Sequence, residues 1–292
     1  MQLTLQTYTN ATEFLTVMQA RLEAQDTLYG LMLGLALHLQ AHPERIECPP
    51  YLAAVVDQTG GCTAALMTPP RPLHLYSDQA EPAVALRLLA ENLHANGWTL
   101  DSVNGLTPLS TVFAQSWSQV QGVSYQIKWR ERAFVLRKVA PLAYSAGALR
   151  AATGADLDLV TQWIVAFNQE ALGEPALDVA DTRQRVRVRI GDQGFYLWED
   201  GEPVALAGTT RPTPRGIAIG PVYTPPAKRG RGYATALVAQ LSQRLLDNGR
   251  QFCTLFTDLA NPTSNRIYQK IGYRPVGDYT AYRFSSATPR QA

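Results

Sequence analysis

A chain of 292 residues, 46% hydrophobic and 17% charged, is long enough for about two domains with separate cores, and this composition excludes a disordered or fibrous protein. A net charge of +2 and a pI near 8.4 are too mild for the concentrated basic stripe of a nucleic-acid surface, so no nucleic-acid partner is expected. Cys48, Cys62 and Cys253 are scattered without metal-ligand spacing, which predicts no metal site and a reducing, cytoplasmic setting.

The N-terminal residues lack the basic-then-apolar order of a signal peptide. The longest apolar run, Leu28 to Leu39, is about 12 residues against the roughly 20 that span a bilayer, so no membrane association is expected. Further along, Tyr51 to Val56 and Cys62 to Thr68 read as strands around Thr59-Gly60-Gly61. Val84 to Asn96 reads as an apolar helix capped by Gly97. A strand-like segment, Arg132 to Val139, leads into a small, polar, loop-like junction between Ala140 and Gly154.

The second half repeats this order. Asp156 to Phe167 is an apolar-faced helix, and Arg183, Arg185, Arg187 and Arg189 then alternate at a strand-like period. These arginines read first as a solvated basic face, and an acidic acceptor is the sharper alternative. Phe195 to Trp198 and Val204 to Thr209 flank the tight turn Asp200-Gly201. The helix Ala234 to Asn248 ends at Gly249, as its counterpart ends at Gly97. Strand, turn and helix in matching order predict a tandem architecture. The second copy is longer by the segment Gly220 to Gly232, GPVYTPPAKRGRG, where the chemistry is expected.

Gly216 to Tyr223 reads as a buried strand broken by Gly220-Pro221, where proline removes a ladder donor and predicts a bulge or splay. Then come Arg229-Gly230-Arg231-Gly232-Tyr233-Ala234 and a helix with Ala234, Leu237, Val238, Leu241 and Leu245 on one face. Glycines let the backbone approach an anion, the first helical N–H groups point partial positive charge at it, and arginines add charge at the rim. A pyrophosphate fits that arrangement. The segment lacks the Gly-Lys-Ser/Thr ending of a P-loop, and Thr235 stands where a dinucleotide fingerprint has its third glycine. Past Gly249, Phe252 to Phe256 reads as an interior strand. Asn261 and Pro262 begin a helix that puts Asn261, Ser264 and Tyr268 on one face.

Arg229 to Ala234 matches every position of the Arg/Gln-x-x-Gly-x-Gly/Ala cofactor loop of the GNAT acetyltransferase superfamily, and Asn261 to Tyr273, NPTSNRIYQKIGY, resembles its following signature. The resemblance covers about Leu149 to Phe284. It implies an α/β fold of two tandem GNAT-like domains, each a mixed, centrally splayed sheet flanked by helices. Residues 1–140 would be a degenerate copy without the phosphate loop, and residues 149–292 an N-acetyltransferase domain using acetyl-CoA and a small-molecule or peptide amine. It further implies that Val222, Tyr223 and Thr224 bind the pantetheine arm, that Arg229, Gly230, Arg231, Gly232, Tyr233 and Ala234 hold the pyrophosphate, and that Asn261 and Ser264 face the cofactor. Tyr268 would lie beside the sulfur, and Lys270 or Arg266 would meet a terminal phosphate. The family also places a helix where the arginines alternate.

Acyl transfer needs a neutral amine, donors for the oxyanion and a proton for the leaving thiolate. A backbone N–H near Val222 or Tyr223 is the expected oxyanion donor, and the Tyr268 hydroxyl the expected acid. The base is open, because the strand GIAIGPVYT has no glutamate where many relatives carry one, and all four histidines lie in the first half. Glu170 is the preferred candidate, with Glu174, Asp258 and a water chain as alternatives. A non-catalytic acetyl-CoA sensor is the competing reading, and the first half is a candidate interaction or lid domain.

Overall fold

In the computed structural model, which describes residues 2–45, 48–172 and 178–286, the chain divides into two compact units. The first comprises residues 1–133, 257–261 and 276–292, and the second residues 134–256 and 262–275. The elements of the first half are β1 (Leu3–Thr7), α1 (Ala11–Ala24), α2 (Asp26–Ala41), β2 (Tyr51–Asp57), β3 (Cys62–Met67), β4 (Leu73–Ser77), α3 (Ala83–Ala95), β5 (Ser102–Leu106), α4 (Thr107–Gln121) and β6 (Val123–Leu136). Those of the second half are β7 (Ala148–Ala151), α5 (Leu157–Phe167), α6 (Val179–Gly191), β8 (Phe195–Glu199), β9 (Pro203–Thr210), β10 (Gly216–Tyr223), α7 (Tyr233–Asp247), β11 (Phe252–Asp258), α8 (Pro262–Ile271) and β12 (Arg274–Ser286). The fold is mixed α/β, and the strands and helices expected from the sequence appear within a few residues of their predicted bounds, except that β6 begins at Val123 where a strand was expected from Arg132.

In the first unit the strand order is β1-β2-β3-β4-β5-β12-β6. Strands β1 to β4 pair antiparallel, whereas β4 and β5 are parallel and register only at Leu73 with Val103 and His74 with Asn104. Alternating side chains send Leu52, Ala54, Leu66 and Tyr76 to α1 and α2, and Ala53, Val55, Ala65 and Leu75 to α3 and α4. Both faces are therefore covered, and β3 is buried at every position.

The second unit has the order β11-β10-β9-β8-β7. Here β10 and β11 form the parallel pair, registering at Gly216 with Phe252, Ile217 with Cys253 and Ala218 with Thr254. Beyond Ala218 the two strands diverge. On its other edge β10 pairs antiparallel with β9, and the register shifts between Ile219 and Val222, around Gly220-Pro221. The bulge expected at that dipeptide is present. One face of the sheet packs on α7 through Tyr196, Trp198, Ala205 and Ala207, the other on α5 and α6 through Phe195, Leu197 and Leu206.

The two units exchange chain ends relative to the partition at residues 140 and 149. Phe134 and Leu136, at the end of β6, sit in the second unit's core with Tyr268 and Tyr273. Most of β12 belongs to the first unit. It pairs antiparallel with β5 from Tyr279–Leu106 to Arg283–Ser102 and buries Tyr282 and Phe284 with Phe113 and Trp117. Arg132 grips Asp278 through two hydrogen bonds of 2.7 and 2.8 Å. Periodicity shows that Tyr282 and Phe284 face a core but not which one, so residue order alone assigned them to the nearer half.

The four arginines lie on α6. Their period of two is a strand signature that the helix overrides, because Asp178 caps its N-terminus by accepting from Asp181 N–H at 2.9 Å while Thr182 and Val186 supply a buried stripe four residues apart.

Candidate active site

The glycine-rich loop begins where β10 ends. A short 3-10 turn at Pro226–Lys228 leads to Gly230 and Gly232, both left-handed with φ of 77° and 80°, and then to α7. A left-handed φ strains any residue with a Cβ, so both positions require glycine for the backbone alone. Gly232 is the N-cap of α7 and supplies no capping side chain, and a Cβ built on it would lie 4.0 Å from Ser145 Cβ. The first N–H groups of a 15-residue helix are thus left uncapped at an exposed glycine turn, with Arg229 and Arg231 beside them.

Side chains fix the loop from below. Tyr233 donates to Asp200 at 2.7 Å and Lys228 pairs with Glu202, so both ends of the loop are tied to the β8–β9 turn. Trp198 Nε1 donates to the Ala146 carbonyl at 2.9 Å, which holds the segment carrying Ser145 against the start of α7. The Ser145 and Thr224 hydroxyls are buried and find no hydrogen-bond partner among the described residues. Such orphaned hydroxyls at both ends of a glycine turn suit an elongated polar ligand. Thr224 was expected here from the sequence. Ser145 was not, because its junction segment reads only as loop and is brought in by Trp198.

Val222 and Tyr223 pair with Ala207 and Leu206 on the β9 side, while the opposite edge of β10 lies beyond its register with β11. The Tyr223 ring packs with Trp163 at 6.2 Å, and its hydroxyl donates to Glu170 at 2.9 Å. Glu170 stands in a π-helical turn, Asn168–Leu172, that extends α5, a conformation frequent at functional sites. Its other carboxylate oxygen takes an ion pair from Arg229, whose Nε donates to the Thr224 carbonyl at 2.9 Å. The Arg229 hydrogen bond, followed by that from Tyr223, holds the Glu170 carboxyl below its ordinary range. Glu170 is therefore a poor proton acceptor while Arg229 stays bound to it. Glu174 lies outside the described residues.

On α8, Tyr268 is buried at 8% exposure, with ring contacts to Phe134 at 6.4 Å and Tyr273 at 6.0 Å. Burial pushes its hydroxyl up to about 12, so the group is protonated at neutral pH. Ser264 is half-buried, and Arg266 and Lys270 are exposed. Asn261 belongs to the first compact unit, and its N–H donates to the Asp258 carbonyl at 3.0 Å. Asp258 itself accepts from Ala260 N–H at 2.8 Å, which is a turn-forming role.

The domain that carries these residues has relatives among known proteins. The family profile described as "Acetyltransferase (GNAT) family" matches residues 157–273, from the start of α5 to the end of α8. Residues 157–273 form a GNAT domain. Among solved structures, a GCN5-related N-acetyltransferase from Sphaerobacter thermophilus matches with a TM-score of 0.63 at 15% identity, over 98% of this chain and 96% of that one. A Drosophila protein gives 0.67 at 13% over 97% and 99%. A tandem GNAT protein from the clavulanic acid biosynthesis pathway gives 0.55 at 13% over 99% of each chain. At these identities the likeness is one of fold, and it covers almost the whole chain. No curated protein matches in sequence. Among the described residues, no helix is long and apolar enough to cross a membrane and no three His, Cys, Asp or Glu side chains gather as a metal site.

Proposed function

We propose that this protein is an acetyl-CoA-dependent N-acetyltransferase that moves an acetyl group directly to a primary amine. The observation that carries this reading is the uncapped start of α7 behind two left-handed glycines, reached from the strand edge that β11 leaves open. Tyr233, Ala234 and Thr235 offer backbone N–H groups to a pyrophosphate, and Arg229 and Arg231 grip its oxygens. The open edge at Val222 to Thr224 offers amide-like hydrogen bonds to the pantetheine arm, and Thr224 and Ser145 use their orphaned hydroxyls. Acetyl-CoA supplies the activated acyl thioester.

The remaining steps fall to this chain's own groups. A backbone N–H at Val222 or Tyr223 faces the acyl oxygen as negative charge grows on it. Tyr268, protonated throughout the neutral range, delivers a proton to the departing sulfur. Glu170 is the proposed relay for the amine's proton. With Arg229 engaged by a bound pyrophosphate, the Glu170 carboxylate would lose the partner that depresses its pKa and would pass the amine's proton on to water. The competing reading, an acetyl-CoA sensor, draws on the absence of a glutamate from β10.

Calorimetric titration with acetyl-CoA, followed by an assay of its consumption with a panel of amines, separates these readings. Binding at one site with amine-dependent turnover supports the enzyme. Binding without turnover by any amine supports the sensor, and no binding removes both.

A further inference from the structure

Of the four arginines on α6, three end on polar partners near the surface. Arg183 pairs with Asp158 at 2.8 Å, Arg185 with Asp181, and Arg187 donates to Gln184 at 2.9 Å. Arg189 turns inward. Its guanidinium lies 4.0 Å over the Phe195 ring, and Nη2 donates to the Thr209 carbonyl at 3.0 Å and more distantly to Gly194 at 3.5 Å. Among the described residues Arg189 has no carboxylate partner, and its Nε and Nη1 make no protein hydrogen bond. Burial, with Arg211 as a neighbouring like charge, pulls its pKa down to about 10, so the surroundings disfavour this cation as they stand.

The position is informative. A Cβ added at Gly208 would lie 2.8 Å from Arg189 Nη2 and 2.8 Å from the Gly220 carbonyl oxygen, so both atoms border one point. Gly220 is in the bulge where β10 shifts register. Arg189 therefore reaches the bulge on the face covered by α5 and α6, opposite the face packed on α7. The absence of a Cβ at Gly208 is what lets the guanidinium come so close.

We propose that Arg189 receives a carboxylate of the acceptor, so that the amine acetylated belongs to a molecule carrying a carboxylate close to it. The claim rests on the acetyltransferase reading and narrows its acceptor class. A planar fork with Nε and Nη1 unused matches a carboxylate through two parallel hydrogen bonds, which a point charge does not reproduce.

The test compares kcat/KM for amino acids and short ω-amino acids with that for the primary amide of each, in the full chain and in Arg189→Met and Arg189→Lys. The wild type is expected to prefer the carboxylates by about a hundredfold. Arg189→Met brings acid and amide together, and Arg189→Lys retains a reduced preference of about tenfold. Acetyl-CoA affinity, measured by calorimetry, confirms that each variant is folded. If Arg189→Met fails that check, Arg189→Lys decides, and an undiminished preference there overturns the proposal. Equal kcat/KM for acids and amides in the wild type, or a preference that survives Arg189→Met, overturns it while leaving the acetyltransferase reading in place. Absence of turnover with every amine removes both.

Discussion

The chain carries the same local device twice, a parallel strand pair whose register ends ahead of a helix, and the turns beside the two copies differ in charge. In the first unit β4 and β5 part after His74 and Asn104. The turn that follows is filled by its own side chains. Asp78 binds Arg21, the Tyr76 hydroxyl and Cys62 N–H, and Gln79 donates to Asp57. In the second unit the turn after β10 carries Lys228, Arg229 and Arg231, two left-handed glycines and an orphaned threonine hydroxyl. Both units thus end a parallel register beside a turn, and under the proposed function the chemistry of that turn decides which one admits phosphate. Carboxylates in the first turn repel what the arginines of the second attract.

The strongest test of this contrast is Gly232→Val, which forces a β-branched residue to φ near 80° and should weaken acetyl-CoA binding by at least about a hundredfold. Glu81→Ala, in the corresponding turn of the first unit, should leave that affinity alone. Calorimetry reads both, and equal effects would erase the distinction between the turns.

The helices after each parallel pair differ in the same sense. The seventh residue of α4 is Phe113 and that of α8 is Tyr268. Tyr268→Phe gives the second unit the ring of the first and should lower kcat by about a hundredfold with little change in acetyl-CoA affinity. With its pKa near 12, Tyr268 should impose no falling limb on the rate below about pH 10. An alkaline decline centred nearer pH 8 would remove it as the acid.

The smallest expected effect concerns how each unit starts its first helix. Asn10 and Glu13 cap α1 at an exposed site, whereas Asp156 lies behind Thr153, is 8% exposed and takes two hydrogen bonds from Arg150 at 2.7 and 2.8 Å. Arg150, ahead of the Thr153 contacts, holds the Asp156 carboxyl down at about 2. Because the folded-state pKa is depressed, the stabilisation is fully present above the unfolded value near 4 and is lost as pH falls through about 2. Asp156→Asn should cost roughly 1–2 kcal/mol at pH 7, allowing for solvent screening at Arg150, whose side chain is 34% exposed, and lower Tm by a few degrees. Glu13→Gln should give no resolved shift.

Much of this contrast was legible in the residues. Gly230 and Gly232 in front of an apolar-faced helix specify a positive-φ turn and an uncapped terminus through local backbone sterics, and Gly220-Pro221 specifies a bulge through a missing donor. Local rules of that kind act within a few residues, so one sequence suffices to read them. The period-two arginines left their element open, and Asp178, Thr182 and Val186 decide for the helix because a cap and a buried stripe outweigh spacing.

What the sequence by itself determined is the order of elements, the glycine turn ahead of α7 and the family signature, all set by short-range geometry. Only the tertiary structure decided that β12 completes the first unit, that Ser145 stands beside Gly232, that Glu170 is bound by Arg229, and that Arg189 alone among its neighbours turns toward the bulge. Each of those depends on which apolar faces bury one another across long sequence separations, and hydrophobic burial is non-directional. Periodicity names the face that is hidden, and packing chooses its partner.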